Sequence, residues 1–285
     1  MRRLLLISIT VLFIPSGILS CTPTAPSDTP TTYPPAAVSE TRSPELIVVY
    51  DDNPFDSRLH TDHGFSCLIR LAQKTILFDA GGDASTLLHN MRQLDIDPRE
   101  VDTVVLSHRH NDHVGGLSEF LEQNSAVTVY LPQSFSRSFK DKVKSLGAKV
   151  EEVYEARELF AGVYTTGELG TWIKEQSLII TTPEGLVVII GCAHPGVVNI
   201  VQRAKDIVPD AGVYLVMGGF HLFGWGPLFG ASSTEIESIM KEFIQLSVEK
   251  VALVHCSGDK ARRLFSEGYG EGYIESGVGR KVPLP

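Results

Sequence analysis

Short apolar runs alternate with amphipathic segments along the chain from residue 45 onward. The apolar runs are rich in Val, Ile and Leu, which is typical of strands buried in a sheet. The amphipathic segments repeat apolar residues every three or four positions, as helices with one buried face do. The pattern predicts strands at 46–51, 65–71, 75–79, 102–106, 127–131, 148–153, 177–182, 186–191, 213–217 and 250–254, and helices at 84–94, 116–123, 133–145, 197–207, 234–247 and 259–266. This interleaved order predicts an α/β domain over residues 45–285.

The first twenty residues have the pattern of an export signal. Arg2 and Arg3 precede a largely apolar, uncharged stretch over residues 4–19, and Ser20 places a small residue before Cys21. The segment 18–21 resembles a bacterial lipobox, in which the cysteine is lipidated. We therefore expect a signal peptide of the lipoprotein type over 1–20, and a lipid-anchored protein in the cell envelope outside the cytoplasm. Ordinary signal cleavage and an uncleaved membrane anchor are the alternatives.

A Thr/Pro/Ser-rich segment over residues 21–44 separates the signal from the domain. Such a composition buries too little apolar surface to fold, and prolines keep it extended, so a disordered linker is predicted. The formal net charge of the whole chain is −9, without a run of basic residues. Nucleic-acid binding is not expected, because contact with phosphates needs clustered Lys and Arg.

Cysteine usage is sparse. With Cys21 assigned to lipidation, Cys67, Cys192 and Cys256 remain, and an odd number without paired spacing does not predict a disulfide framework. All three lie in apolar, strand-like contexts, where a free cysteine behaves as a small hydrophobic residue. Buried packing is favoured over metal ligation for Cys192 and Cys256, although each lies near a histidine.

The segment 107–116 concentrates side chains that bind metal ions. His108, His110, Asp112 and His113 follow directly on the predicted strand 102–106. Imidazole and carboxylate together suit zinc, iron or manganese rather than calcium. His108 and His110 are two positions apart and can bind one ion, whereas Asp112 and His113 can hold a second ion beside it. The alternative is a polar loop with incidental histidines.

Other polar side chains also follow the ends of predicted strands. Asp79, His194, His221 and His255 each come shortly after an apolar run. Side chains at strand ends on one edge of a sheet converge on a rigid scaffold. We therefore expect a single metal site at that edge.

These motifs resemble those of the metallo-β-lactamase superfamily, whose fold is a four-layer αββα sandwich with a metal site at one edge of the sheets. Within it, the chain is similar to the branch named for dihydropterin-aminobenzene-ribofuranosyl-phosphate synthase. The resemblance to the branch depends on the strings at 62–66, 162–168, 175–178, 191–200, 218–222 and 277–279, and it spans 46–285.

The resemblance implies roles for the candidate ligands. It implies one or two divalent ions, with zinc as the first choice and iron, manganese or magnesium as alternatives. Asp79 is implied to orient a ligand histidine by accepting its other ring proton. The implied ligands are His108, His110 and His194 for the first ion, and Asp112, His113 and His255 for the second.

One departure from the family pattern concerns a bridging aspartate. Many superfamily members carry this metal-bridging residue after the strand that ends here at Met217, where this chain has Gly218 and Gly219 instead. His221 is expected either to replace the carboxylate in part or to face the substrate. The substrate cleft is expected around His63, Trp172 and residues 220–225. The alternative for His63 is an exposed structural histidine. A loop that includes Trp225 could cover the substrate, and the alternative is that this loop only packs on the domain.

The function implied is an exported metal-dependent hydrolase of the metallo-β-lactamase superfamily, acting on a small-molecule ester, lactone or phosphoester. A bound ion lowers the pKa of water to roughly 7 and so supplies metal-bound hydroxide. Asp112 and His221 are the expected catalytic residues, with Asp112 as a proton acceptor. The first alternative is a synthase-like transferase that releases pyrophosphate. The second is a non-catalytic, metal-bound binding lipoprotein.

Overall fold

The structure is a computed structural model that describes residues 43–223 and 230–285. The predicted signal peptide, Cys21, nearly all of the predicted linker, and Trp225 lie outside these ranges. The division of the chain at residues 20 and 44 therefore stays a prediction.

The first of two sheets has seven strands in the order β13-β1-β2-β3-β4-β5-β6. The pairs β3–β4, β4–β5 and β5–β6 are parallel, whereas the pairs β13–β1, β1–β2 and β2–β3 are antiparallel. The strands are β1 Glu45–Tyr50, β2 Ser66–Arg70, β3 Thr75–Phe78, β4 Thr103–Val105, β5 Thr128–Pro132, β6 Lys149–Val153 and β13 Lys281–Pro283.

The second sheet has six strands in the order β12-β11-β10-β9-β8-β7. Strands β10, β11 and β12 are parallel, and the other pairs are antiparallel. The strands are β7 Arg157–Phe160, β8 Val163–Thr165, β9 Leu178–Thr182, β10 Gly185–Ile190, β11 Val213–Gly219 and β12 Val248–Val254.

Seven α-helices complete the described fold: α1 Ala84–Gln93, α2 Asn111–Val114, α3 Leu117–Gln123, α4 Arg137–Ser145, α5 Val197–Ile207, α6 Ser233–Gln245 and α7 Asp259–Tyr269. Helix α4 begins four residues later than predicted because the side chain of Ser136 caps it by accepting from the amide of Phe139. Within the described ranges, every helix is too short or too polar to traverse a lipid bilayer.

Three clusters of buried apolar side chains hold these elements in four layers. One cluster joins the first sheet to α1, α3 and α4, and another joins the second sheet to α5, α6 and α7. The third, which includes Phe78, Ile189 and Met217, lies between the two sheets. The predicted αββα sandwich is confirmed, because each sheet buries one face on the other sheet and one face under helices.

Every predicted strand and helix has a counterpart, but among the strands and α-helices of the described residues four short ones were not predicted. Strands β7, β8 and β13 have only three or four residues each, and β7 is largely exposed, so none of them forms a long apolar run. Helix α2 has four residues and carries Asp112 and His113. Its polar composition is that of a loop, and its position is set by the contacts of those side chains.

The parallel strands bring their carboxyl ends to one edge of the sandwich. In the first sheet, β3 and β4 end together, with Phe78 paired to Val105. In the second sheet, β10, β11 and β12 end together, with Gly218 paired to both Ile190 and Leu253. The residues that follow these strands carry the candidate metal-binding side chains.

Candidate metal centre

Three imidazoles meet at this edge of the sandwich. His108 Nε2 lies 3.1 Å from His110 Nδ1 and 3.3 Å from His194 Nε2. The three nitrogens lie within 4.8 Å of one another. The structure therefore brings together the three residues proposed for the first ion, from the ends of β4 and β10.

Asp79 fixes the orientation of two histidines. Its Oδ2 lies 2.7 Å from His113 Nδ1 and accepts from Ser107 Oγ at 2.6 Å. Ser107 Oγ, having donated its proton to Asp79, accepts from His108 Nδ1 at 2.9 Å. Both Nδ1 atoms therefore carry the ring proton, and both Nε2 lone pairs face the candidate ligand groups. The expected role of Asp79 agrees with this geometry, directly for His113 and through Ser107 for His108.

The imidazoles of the first group are neutral. Burial, reinforced by His221, His110 and His113, lowers the pKa of His194 to about 3. The pKa of His108 is also well below its ordinary value, first through burial and then through the surrounding imidazoles. Neutral imidazole is the form that binds a metal ion, so binding at this group needs no loss of a proton at neutral pH.

A second group lies beside the first and contains Asp112, His113, Cys192 and His255, whose ligand atoms also lie within 4.8 Å of one another. Asp112 Oδ2 is 3.2 Å from His255 Nε2 and 3.6 Å from His113 Nε2. His113 Nε2 is 3.1 Å from Cys192 Sγ. The three residues proposed for the second ion converge, and a thiol joins them.

His255 leaves one buried ring nitrogen without a hydrogen bond. Its Nδ1 lies 2.8 Å from Asp52 Oδ1, whereas Nε2, on the side of Asp112, has no hydrogen-bond partner among the residues described. Burial alone lowers the pKa of this imidazole, but the carboxylates of Asp112 and Asp52 outweigh it and raise the pKa to about 10. An unsatisfied buried nitrogen facing a carboxylate, a thiol and a second imidazole fits a bound cation.

Glu175 holds the loop that carries two of the donors. Its carboxylate is fully buried and accepts from the backbone amides of Cys192, Ala193 and His194 at 2.9–3.0 Å. Burial raises the pKa of Glu175 to about 7, although these three amides act in the opposite direction. Glu175 therefore positions Cys192 and His194 through their backbone amides.

Strained backbone accompanies the strand ends. Asp79, Ala193, His221 and His255 have φ angles of 59°, 56°, 53° and 46°. Residues other than glycine rarely adopt this left-handed conformation, and such strain clusters at functional sites. It turns the chain sharply after β3, β10, β11 and β12, so that the side chains point into the site.

His221 and His63 lie on the margins of the centre. His221 is exposed, and its ring centroid lies 4.5 Å from that of His194. The His63 side chain is 60% exposed, with Nδ1 3.0 Å from Asp52 Oδ2 and Nε2 3.4 Å from Asp112 Oδ2. Both side chains lie beside the ligand groups, and their contact with a substrate stays a prediction.

Two expectations about other residues need correction. Phe220 is 2% exposed and packs on Phe243 and Phe265, because the end of β11 directs it under the helices rather than towards a cleft. Cys192 is buried, as predicted, but its thiol contacts His113 and is one of the candidate donors. The expectation of plain packing therefore leaves out this contact with His113.

Three residues of the centre were missed by the sequence reasoning: Asp52, Ser107 and Glu175. Asp52 follows β1 by two residues, and the rule that identified Asp79 applies to it equally. Glu175 lies on a loop between strands, and nothing in its sequence context indicates three backbone acceptor contacts.

The chain belongs to the metallo-β-lactamase superfamily. A family model described as the metallo-beta-lactamase superfamily matches residues 61–208, which contain the first ligand group and most of the second. Members of this superfamily usually bind divalent metal ions, and both ligand groups described above supply suitable donors.

One curated relative carries the name of the predicted branch, and one solved structure with a similar identity belongs to the same superfamily. 7,8-dihydropterin-6-methyl-4-(beta-D-ribofuranosyl)-aminobenzene-5'-phosphate synthase from Methanocaldococcus jannaschii is 29% identical over 276 residues, which cover 80% of this chain and 92% of the relative. The crystal structure of a metal-dependent hydrolase of the beta-lactamase superfamily is 29% identical, with a TM-score of 0.67 and coverage of 84% of this chain and 98% of that one.

The fold extends to more distant structures. The metallo-beta-lactamase fold protein YhfI from Bacillus subtilis superimposes with a TM-score of 0.61 at 15% identity, covering 85% of this chain and all of that one. At this level of identity the match concerns the fold alone.

Proposed function

We propose that the chain is a metal-dependent hydrolase that acts on an ester, lactone or phosphoester-type small molecule. The observation that carries the proposal is the convergence of His108, His110 and His194, with Asp112 of the second group close by. The donor set fits zinc first, and iron or manganese next, because imidazole and carboxylate are ligands of all three.

The two donor groups would each hold a divalent ion. An ion bound there would lower the pKa of coordinated water to roughly 7 and polarise the attacked carbonyl or phosphoryl group. The chain's own contribution is to fix the orientation of the ligand imidazoles. Asp79 does this for His108 and His113, and Asp52 does it for His255.

Asp112 is the proposed proton acceptor. Its Oδ2 is 3.4 Å from Nε2 of the exposed His63, so a proton taken up at Oδ2 can pass to His63 and then to solvent. The same oxygen also lies 3.2 Å from His255 Nε2, within ion-pair distance. The exposed His221, next to His194, is placed to contact the substrate on the opposite side.

The archaeal synthase supports a second candidate, a transferase that releases pyrophosphate, because the similarity covers most of both chains. A non-catalytic binding lipoprotein is the third possibility. We favour hydrolysis because we propose that the chain is exported, which separates it from cytosolic pterin intermediates.

Turnover distinguishes these candidates. Full-length protein is stripped with a chelator, refilled with Zn²⁺, Fe²⁺ or Mn²⁺, and assayed on lactones, thioesters, phosphodiesters and β-lactams. We expect hydrolysis of at least one class, dependent on the metal. Pyrophosphate release from a pterin pyrophosphate, without hydrolysis of the panel, would favour the transferase. Metal binding with no turnover in any assay would favour the binding protein.

Export is tested by fractionation of cells that express the full chain. The pattern of residues 1–21 supports a lipidated cysteine, so Cys21→Ser is expected to move the protein out of the membrane fraction. Cys67→Ser is the matched control and should leave the distribution unchanged. Membrane retention of the Cys21→Ser protein would instead indicate an uncleaved anchor.

A further inference from the structure

Two thiols and an imidazole lie together on the far side of the second ligand group. Cys192 Sγ and Cys256 Sγ are 3.3 Å apart, and both side chains are buried. One ring nitrogen of His221 completes the cluster, because the three ligand atoms lie within 4.8 Å of one another. The cysteines are free thiols, and this trio includes a residue of the second group, Cys192.

The cluster is a product of the sheet. Cys192, His221 and Cys256 each follow, by two residues, the end of one of the adjacent parallel strands β10, β11 and β12. The backbone turns sharply at Ala193, His221 and His255, each with a positive φ. Three neighbouring strand ends therefore deliver three donor side chains to one point.

The glycines that end β11 make room for one of the thiols. A Cβ atom built at Gly219 would lie 2.6 Å from Cys256 Sγ and 2.6 Å from the carbonyl oxygen of Gly191. Any side chain at residue 219 would therefore displace the Cys256 thiol. The Cys256 thiol therefore occupies the space that a side chain at residue 219, such as a bridging carboxylate, would need.

The third cysteine shows what a purely structural thiol looks like in this fold. Cys67 lies in the apolar cluster between the two sheets, and its thiol donates to the carbonyl oxygen of Leu68 at 3.7 Å. Cys192 and Cys256 instead contact each other, and Cys192 also contacts His113. Simple packing accounts for Cys67 but not for two buried thiols among ring nitrogens.

We propose that Cys192, His221 and Cys256 form a thiolate–imidazole site for a thiophilic divalent ion, with Cys192 shared between this site and Asp112, His113 and His255. Sulfur ligands select zinc or cobalt over magnesium and manganese, which prefer oxygen. Each thiol loses its proton when it binds the ion. The inference rests on the proposed function only in requiring a metal ion at this edge, and it does not require turnover.

Cobalt absorption tests the site directly. The full-length protein, reduced with a phosphine, is stripped of metal and titrated with Co²⁺. We expect a sulfur-to-cobalt charge-transfer band in the near ultraviolet, which imidazole and carboxylate ligands do not produce. Cys192→Ser should reduce the band by about half, and the double variant Cys192→Ser/Cys256→Ser should abolish it. Cys256→Ser should reduce its intensity by about half, since one of two sulfur ligands is lost, and His221→Ala should weaken Co²⁺ binding more than about 10-fold.

The matched control is Cys67→Ala, which should retain the wild-type band. Cys21 is present in all these proteins, so it does not contribute to the differences between them. X-ray absorption of the zinc-loaded wild type needs no variant and should show a Zn–S shell at about 2.3 Å beside Zn–N at about 2.0–2.1 Å. A wild type without the charge-transfer band and the sulfur shell would overturn the proposal. So would a Cys256→Ser protein with an undiminished band. A sulfur signal in a protein that turns over no substrate would support the site while the proposed hydrolase fails.

Discussion

Replacement of His110 by alanine should remove the ion from the first ligand group and lower metal-dependent turnover by at least about 100-fold. His110 Nδ1 lies 3.1 Å from His108 Nε2, and without it two imidazoles remain in this group. Loss of a residue that only supports a ligand costs about 10- to 100-fold, so loss of a ligand itself should cost at least the upper value. Metal content is measured by mass spectrometry of dialysed protein. Turnover is measured with the substrate class on which the wild type is active.

The control for His110→Ala is His89→Ala. His89 stacks on His60 at a ring-centroid distance of 3.8 Å, away from both ligand groups, so its loss should leave the metal stoichiometry at the wild-type value. Wild-type stoichiometry and affinity in the His110→Ala protein would remove His110 from the ligands. Circular dichroism of both proteins distinguishes loss of the site from loss of the fold.

Asp79→Asn should weaken metal binding about 10- to 100-fold and destabilise the fold by about 1–3 kcal/mol. The carboxylate accepts three hydrogen bonds, from the Ser107 amide, the Ser107 hydroxyl and His113. An asparagine offers one oxygen and one NH₂ group. In either orientation the NH₂ group faces a group that donates to Asp79, which is the Ser107 amide in one orientation and His113 Nδ1 in the other. His113 relieves the conflict at Nδ1 by moving its proton to Nε2, which removes the lone pair from the site.

The two effects of Asp79→Asn are measured separately, by metal titration of the native protein and by denaturant unfolding of the metal-free protein. Asp97→Asn is the control, because Asp97 caps the short helix Pro98–Glu100 through a half-buried side chain remote in sequence from the ligands. Asparagine caps a helix as well as aspartate does, so metal affinity should match the wild type. Loss of the ion pair with Arg99 should change the free energy of unfolding by no more than about 1 kcal/mol. Unchanged affinity in Asp79→Asn would show that the orientation of His113 does not depend on Asp79.

The parts of the site that follow a local rule could be predicted from the sequence. Asp79, His108 and His255 come directly after apolar runs, and parallel strands end at a common edge whatever the details of their packing. The concentration of donors at residues 108–113 is also local. Both groups of residues proposed as ligands for two separate ions are brought together in the structure.

The contacts that tie distant segments together could not be predicted in this way. Asp52 and His255 are 203 positions apart, and His113 and Cys192 are 79 apart. A sequence shows that Cys192 lies in an apolar context, but not that the loop is turned so that its thiol meets an imidazole. Glu175 holds that turn by accepting from three backbone amides. Because the partners are backbone groups, the side chains in the sequence give no sign of this role.

The strands of the fold likewise divide into those that could be predicted from the sequence and those that could not. Long apolar runs such as those of β10 and β12 predict strands reliably because burial decides their conformation. The short strand β7 has exposed or half-exposed residues throughout, so its conformation depends on pairing with β8 rather than on its own composition.

Anomalous diffraction from crystals of zinc-loaded protein, collected on both sides of the zinc absorption edge, tests the central claim most directly. The account predicts a zinc peak at about 2.0–2.1 Å from the ring nitrogens of His108, His110 and His194. An anomalous map without a peak between these three side chains, at saturating zinc, would contradict it.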